Sequence, residues 1–160
     1  MASYAISRAL SYLEAKSVKV TLKAEQEQAV ENLLNGKDVM AVLPGFGKTM
    51  IFTVFCLAKK EATSVPLSVL VVSPLKSLIT DQIAEISAIE CSAVELCAAT
   101  IESIIKDPPQ FIYCTAEQVL EKTFLNALKD SRSLLHRRLS AIVIDESHTV
   151  ETWAGKRFVT

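Results

Sequence analysis

Two hydrophobic patterns alternate along this chain. Near-continuous apolar runs, Val-Met-Ala-Val-Leu ending at position 43, Leu-Ser-Val-Leu-Val-Val-Ser ending at 73 and Ala-Ile-Val-Ile-Asp ending at 145, read as strands buried on both faces. With two shorter runs they place strands at 38–43, 68–73, 93–96, 110–114 and 141–145. Between them the apolar period lengthens to that of a helix. Ile79, Ile83 and Ile86 follow Leu75 at one-face spacing, and 48–60 reads as a helix opening on a glycine turn. Shorter helical stretches fall at 103–105 and 117–128, with Thr115 as N-cap of the latter, and a basic one at 131–140. Upstream, Ile6, Ala9, Leu10 and Leu13 mark a helix over 2–15, and a second covers 24–34 before an Asn35-Gly36 stop. Strands alternating with helices predict an α/β fold with a mainly parallel sheet and helices on both faces.

Composition narrows the class. At 160 residues, half hydrophobic and 22% charged, the chain has one domain-sized core and no disordered or coiled-coil signature. Seventeen basic residues against 18 acidic ones give a net charge of −1, which excludes a polybasic tail but leaves room for a local basic strip. Cys56, Cys91, Cys97 and Cys114 sit in apolar settings without a C-x-x-C pair, so they read as free thiols of a reducing compartment rather than metal ligands. No membrane span or signal peptide is visible, and an intracellular location is expected.

The chemistry concentrates at two strand ends. Leu43-Pro44-Gly45-Phe46-Gly47-Lys48-Thr49 follows an apolar strand and opens a helix. Glycines there let backbone N–H groups turn inward on a phosphate, with Lys48 reaching the β/γ-phosphates and the Thr49 hydroxyl taking Mg²⁺. Val42 stands where G-x-x-x-x-G-K-S/T has its first glycine. The second end is Ile144-Asp145-Glu146-Ser147-His148. Beside a phosphate loop it reads as a Walker B element, Asp145 holding Mg²⁺ and Glu146 polarising the attacking water. A guanine-reading N-K-x-D is absent, which argues against a GTPase switch, and His148 and Trp153 stand where a small-molecule kinase would carry its arginine-bearing lid.

These residues resemble a superfamily 2 helicase, and specifically the RecQ family. Asp145-Glu146-Ser147-His148 resembles the D-E-x-H box and Pro44-Gly45-Phe46-Gly47-Lys48-Thr49 resembles motif I. Leu22-Lys23-Ala24-Glu25-Gln26 is similar to the F-R-P-G-Q motif, where Gln26 would read the adenine edge and Lys23 would lie near the nucleotide. Ser73-Pro74-Leu75-Lys76-Ser77-Leu78 with Asp81-Gln82 is similar to motif Ia, S-P-L-x-S-L-x-x-D-Q, and Tyr113-Cys114-Thr115-Ala116-Glu117 to motif Ib. In the family both touch the backbone of single-stranded nucleic acid. Trp153 falls where RecQ proteins begin the aromatic-rich loop that couples strand binding to hydrolysis, although W-G-H-D-F here reads Trp153-Ala154-Gly155-Lys156-Arg157-Phe158.

The resemblance implies a RecA-like P-loop NTPase domain over 22–160, preceded by an N-terminal helical extension over 1–21. It implies ATP and Mg²⁺ as ligands, Lys48, Asp145, Glu146 and His148 as catalytic residues, and a nuclear, DNA-directed enzyme of 3′-to-5′ polarity. Single-stranded DNA and duplex junctions would be its partners. Only the first of two lobes is recognisable, so this chain alone is expected to bind ATP–Mg²⁺ and contact single-stranded DNA without unwinding duplex. A non-catalytic nucleotide- or nucleic-acid-binding module derived from a helicase is the alternative. Arg132, Arg137 and Arg138 could extend the basic track, with a solvated charged face as the plainer account.

Overall fold

A computed structural model describes residues 2–39, 47–74 and 76–144. The chain divides into two compact units with the boundary between Val65 and Pro66.

The first unit is helical. α1 (Ala2–Ala15) buries Ala5, Ile6, Ala9 and Leu13, one stripe at helical spacing. α2 (Ala24–Leu34) buries Gln26, Ala29 and Val30. It stops at Asn35, and Gly36 follows at φ +77°, a left-handed conformation that suits glycine and ends a helix. Both α1 and α2 pack on α3 (Gly47–Thr63), which is buried without interruption from Ile51 to Ala58. Thr53 sits inside that stretch because its Oγ1 donates to the Thr49 carbonyl at 2.8 Å, satisfying the hydroxyl within the helix itself.

The second unit is a four-stranded, wholly parallel sheet flanked by helices, so the α/β expectation holds. β1 (Ser68–Val72), β2 (Ala93–Glu95), β3 (Phe111–Cys114) and β4 (Leu139–Ile144) lie in the order β2-β3-β1-β4. Every residue of β1 and β3 is buried, as continuous apolar runs require. The alternation of side chains then sorts the helices. Leu70, Val72, Ile112 and Cys114 share one face with Ile104 of α5 (Ile101–Lys106), Phe124 of α7 (Lys122–Lys129) and Leu135 of α8 (Leu134–Arg138). α4 (Lys76–Ala88) packs against β2 and β3, and the crossover rule puts it on the opposite face. Each fully buried Leu, Ile or Phe in these layers is worth about 1.5–3 kcal/mol.

Three expectations need adjusting. Residues 117–128 form two helices, α6 (Ala116–Val119) and α7, because Glu121 adopts extended backbone and caps α7 by accepting the Phe124 N–H at 3.1 Å. The basic stretch 131–140 is shorter than expected, since the chain enters β4 at Leu139. β4 was expected to be buried on both faces. Its side chains are half-exposed and Ile142 is 58% exposed, because among the described residues β4 has a ladder partner on one side only. The strand at 38–43 lies, from residue 40 onward, outside the described residues.

Candidate functional site

In the first unit the candidate nucleotide residues fall on two helix N-termini. Lys48 and Thr49 occupy the first turn of α3, half-buried, directly after Gly47. That turn carries no acidic residue, so its N–H groups and the lysine offer a positive end to a phosphate. Lys23 and Gln26 begin α2. Gln26 is 8% exposed, and its Oε1 accepts the Lys23 N–H at 2.8 Å, half of a capping box. The other half is missing, because an ammonium group has no acceptor to offer back.

The helix directions bring these two N-termini to one end of the unit. A cavity of about 480 Å³ is lined by Leu34 and Asn35 at the end of α2 and by Ala62 and Thr63 at the end of α3. Both helices run toward that cavity, so Gln26 and Lys48 lie away from it. The residues of motif I that precede α3, Pro44, Gly45 and Phe46, lie outside the described residues, as do Asp145, Glu146, His148 and Trp153.

In the second unit the geometry is sharper. The chain leaves β1 toward β2 in one direction across the sheet, through α4, whereas it leaves β3 toward β4 in the other, through α6 to α8. Right-handed crossovers send these two connections to opposite faces. A crevice therefore opens at the carboxyl ends of adjacent β1 and β3, which is where open α/β sheets bind ligands. Val72 pairs with Cys114, and the Ser73 N–H donates to the Cys114 carbonyl at 2.9 Å. Ser73 and Thr115, from segments 42 positions apart by number (115 − 73), are thus neighbours on that edge.

Ser73 is fully buried, and its Oγ has no hydrogen-bond partner among the described residues. Pro74 follows, half-buried, and Leu75 lies outside the described residues. Lys76 and Ser77 are exposed in the first turn of α4, which also lacks acidic residues. Across the crevice Thr115 caps α6: its Oγ1 accepts the Gln118 N–H at 3.4 Å and its own N–H donates to Gln118 Oε1 at 2.8 Å. Glu117 is exposed on α6. Burial in the core pushes the Cys114 thiol at the end of β3 up to about 12.

Gln118 belongs to this site and was not singled out from the sequence. Its signal was present, as Thr-x-x-Gln is a capping box with glutamine at the third helical position. The arginines separate from the site. Arg138 directly precedes β4, so it sits at the amino edge of the sheet, about 20 Å of strand from the carboxyl edge. There its Nη1 donates to Asp107 Oδ1 at 3.0 Å and to the Pro108 carbonyl at 3.2 Å. Arg132 is held by Asp130, whose Oδ1 it meets at 3.2 Å.

A family model for the DEAD/DEAH box helicase matches residues 23–159. The chain belongs to the DEAD/DEAH box helicase family. Within that family it is similar to RecQ-type proteins. It is 29% identical to the ATP-dependent DNA helicase Q-like 2 of Arabidopsis thaliana over 143 residues, 82% of this chain. It is 29% identical to the RecQ-like DNA helicase BLM of Xenopus laevis over 144 residues, also 82% of the chain. It is 27% identical to the ATP-dependent DNA helicase RecQ of Haemophilus influenzae over 154 residues, 91% of the chain. The matched region spans 19%, 10% and 23% of those three proteins. The residues that resemble motifs Ia and Ib lie at the carboxyl ends of β1 and β3, and Lys48 lies on the opening turn of α3. Among the described residues no helix is long and apolar enough to cross a membrane.

Proposed function

We propose that this chain is the ATP-binding lobe of a RecQ-like DNA helicase and grips single-stranded DNA at the carboxyl ends of β1 and β3. The observation that supports it most directly is the pairing of Ser73 with the end of β3, which brings the residues that resemble motifs Ia and Ib side by side. A phosphodiester there would meet the N–H groups and lysine of the α4 N-terminus and the Thr115 hydroxyl, whose oxygen accepts from Gln118 and whose proton can rotate to donate. Contacts of this kind carry no base code, so binding should tolerate sequence and weaken with salt.

For the nucleotide, the residues present fit. The acid-free first turn of α3 suits a triphosphate, with Lys48 on its β/γ oxygens and Thr49 as a hydroxyl ligand to the cation. Bound Mg²⁺ would neutralise the charge that develops on the transferred phosphoryl group. We assign Asp145 to the cation's water shell, Glu146 and His148 to the attacking water and its coupling, and Trp153 to sensing of the strand. Gln26 and Lys23 would recognise the adenine side. Residues 22–160 would form the nucleotide-binding domain, in a nuclear protein that also acts on duplex junctions with a second lobe.

The test is phosphate release from ATP, with and without single-stranded DNA, beside Lys48→Ala. Release stimulated by the strand and abolished in the variant supports a working ATPase. Nucleotide bound without turnover, and lost in Lys48→Ala, supports a lobe that needs a partner lobe. Nucleotide affinity indifferent to Lys48→Ala overturns the reading, and strand binding that persists in that case favours the non-catalytic module.

A further inference from the structure

α1 ends at Ala15, upstream of the segment at 23–159 that matches the helicase family, yet it is packed onto the helix that carries Lys48. Its contact stripe is made of Ala5, Ile6, Ala9 and Leu13, all 4% exposed or less, and the two alanines let the helix backbones approach closely. The direction of α1 is fixed by two observations. Its first residues, Tyr4 among them, line the 480 Å³ cavity at the far ends of α2 and α3, and Arg8 Nε lies 3.7 Å from Glu61 Oε2 in the last turns of α3. α1 therefore runs antiparallel to α3. At 1.5 Å per residue, Leu13 lies about 7–8 Å beyond that ion pair in the direction of Lys48.

Leu13 also anchors the chain reversal that leads to α2. Its carbonyl accepts two N–H groups, from Lys16 at 3.0 Å and Val18 at 2.9 Å, while Ser17 turns through φ 65°. From that reversal the chain runs directly to Lys23 and Gln26. Leu13 is thus buried in the stripe of α1, the helix that packs on α3, and its own backbone fixes the start of the segment bearing Gln26.

We infer that α1 is part of the nucleotide-binding unit and that Leu13 is a positioning residue for it, holding α3 and the 18–23 segment in the register that nucleotide binding uses. This rests on the nucleotide reading of Lys48 and Gln26. A shift on the order of 1 Å in such a support costs binding or turnover well beyond its local effect.

The experiment compares Leu13→Ala with Ile6→Ala in the full chain. Both delete buried methyl groups from the same stripe, Leu13 lying farther along α1 toward the Lys48 end and Ile6 nearer the cavity. Melting temperature, affinity for a fluorescent ATP analogue and amide exchange over 48–52 are measured for each. Both variants should lower the melting temperature comparably, but only Leu13→Ala should weaken the analogue, by about tenfold, and speed exchange in the opening turns of α3. Leu13→Val serves if Leu13→Ala does not fold, with a smaller loss of the same kind. Equal affinity losses in the two variants, or none in either, would overturn the inference. Wild-type protein that binds no nucleotide would sink the proposed function instead, and the exchange comparison would still decide whether Leu13 positions α3.

Discussion

At the start of α2 the Lys23 N–H donates to Gln26 Oε1 at 2.8 Å, and at the start of α6 the Thr115 N–H donates to Gln118 Oε1 at the same distance. Both bonds tie a glutamine at the third helical position back to the residue before the helix. They differ in what answers. Thr115 returns a hydroxyl oxygen to the Gln118 N–H, so its box is closed and its O–H is left for a ligand. Lys23 has only an ammonium group to offer, so its box is half made, and the glutamine rather than the cap carries the candidate chemistry. The lesson is that one motif can present either partner. At α6 the glutamine serves the helix and the cap hydroxyl is the proposed contact, whereas at α2 the glutamine serves the helix and is also proposed for the nucleotide.

The largest effect should come from separating those two jobs. Gln26→Glu keeps an oxygen for the Lys23 N–H but removes the amide donor that, on the proposed reading, would pair with an adenine ring nitrogen. Loss of a bidentate base contact is worth about 1–3 kcal/mol. Affinity for ATP should therefore fall by about tenfold relative to a nucleotide-independent control such as melting temperature, and preference over GTP should vanish. A melting temperature that falls with the affinity would show that Gln26 is a cap alone.

Thr115 gives the next effect. Thr115→Ala removes the returning hydroxyl and should cost about 1 kcal/mol in stability, the usual value of a lost N-cap. It should also weaken single-stranded DNA several-fold, with no change at the nucleotide. Thr115→Ser restores cap and donor together, so both losses should recover. Recovery of stability without recovery of strand affinity would mean that the threonine methyl, not the hydroxyl, faces the strand.

How much of this was legible beforehand follows the same division. The strand runs at 68–73 and 110–114 were readable because their middles, Val69 to Val72 and Phe111 to Cys114, are buried on both faces and carry no charged residue to confuse the period. Thr115 as a cap was readable too, since a capping box lies within four residues. The break between α6 and α7 was not, because Leu120, 62% exposed, continues the apolar pattern that suggested one helix, and a glutamate is a poor prior for a cap. Nor could sequence alone place the arginines. The residues leave Arg138 open between a basic track and, more plainly, a solvated charged face, and the parallel order puts it at the opposite edge of the sheet with its charge engaged by Asp107. The neighbourhood of Ser73 and Thr115 came first as a resemblance, and sheet register then gave it a physical cause.

Glu121 supplies the third cap in the comparison and the smallest effect. Its carboxylate accepts backbone N–H groups from Thr123 and Phe124, which hold it below the usual glutamate range. A group whose folded pKa is depressed contributes stability that is present above the unfolded value and fades as pH falls through the folded one. The α7 N-terminus should therefore loosen only in acid, from about pH 4 downward, while the α6 cap, built on a hydroxyl, should not respond. The residue is solvent-exposed, so the change belongs to the first turn of α7 and leaves the global transition almost unmoved. Amide exchange or chemical shifts of Thr123 and Phe124 against those of Gln118, followed from pH 7 to 3, separate the two caps. Glu121→Gln should remove the pH dependence at α7. A Gln118 amide that titrated in step with Phe124 would instead mean that α6 and α7 open as one element, and the closed box at Thr115 would no longer stand apart from its neighbour.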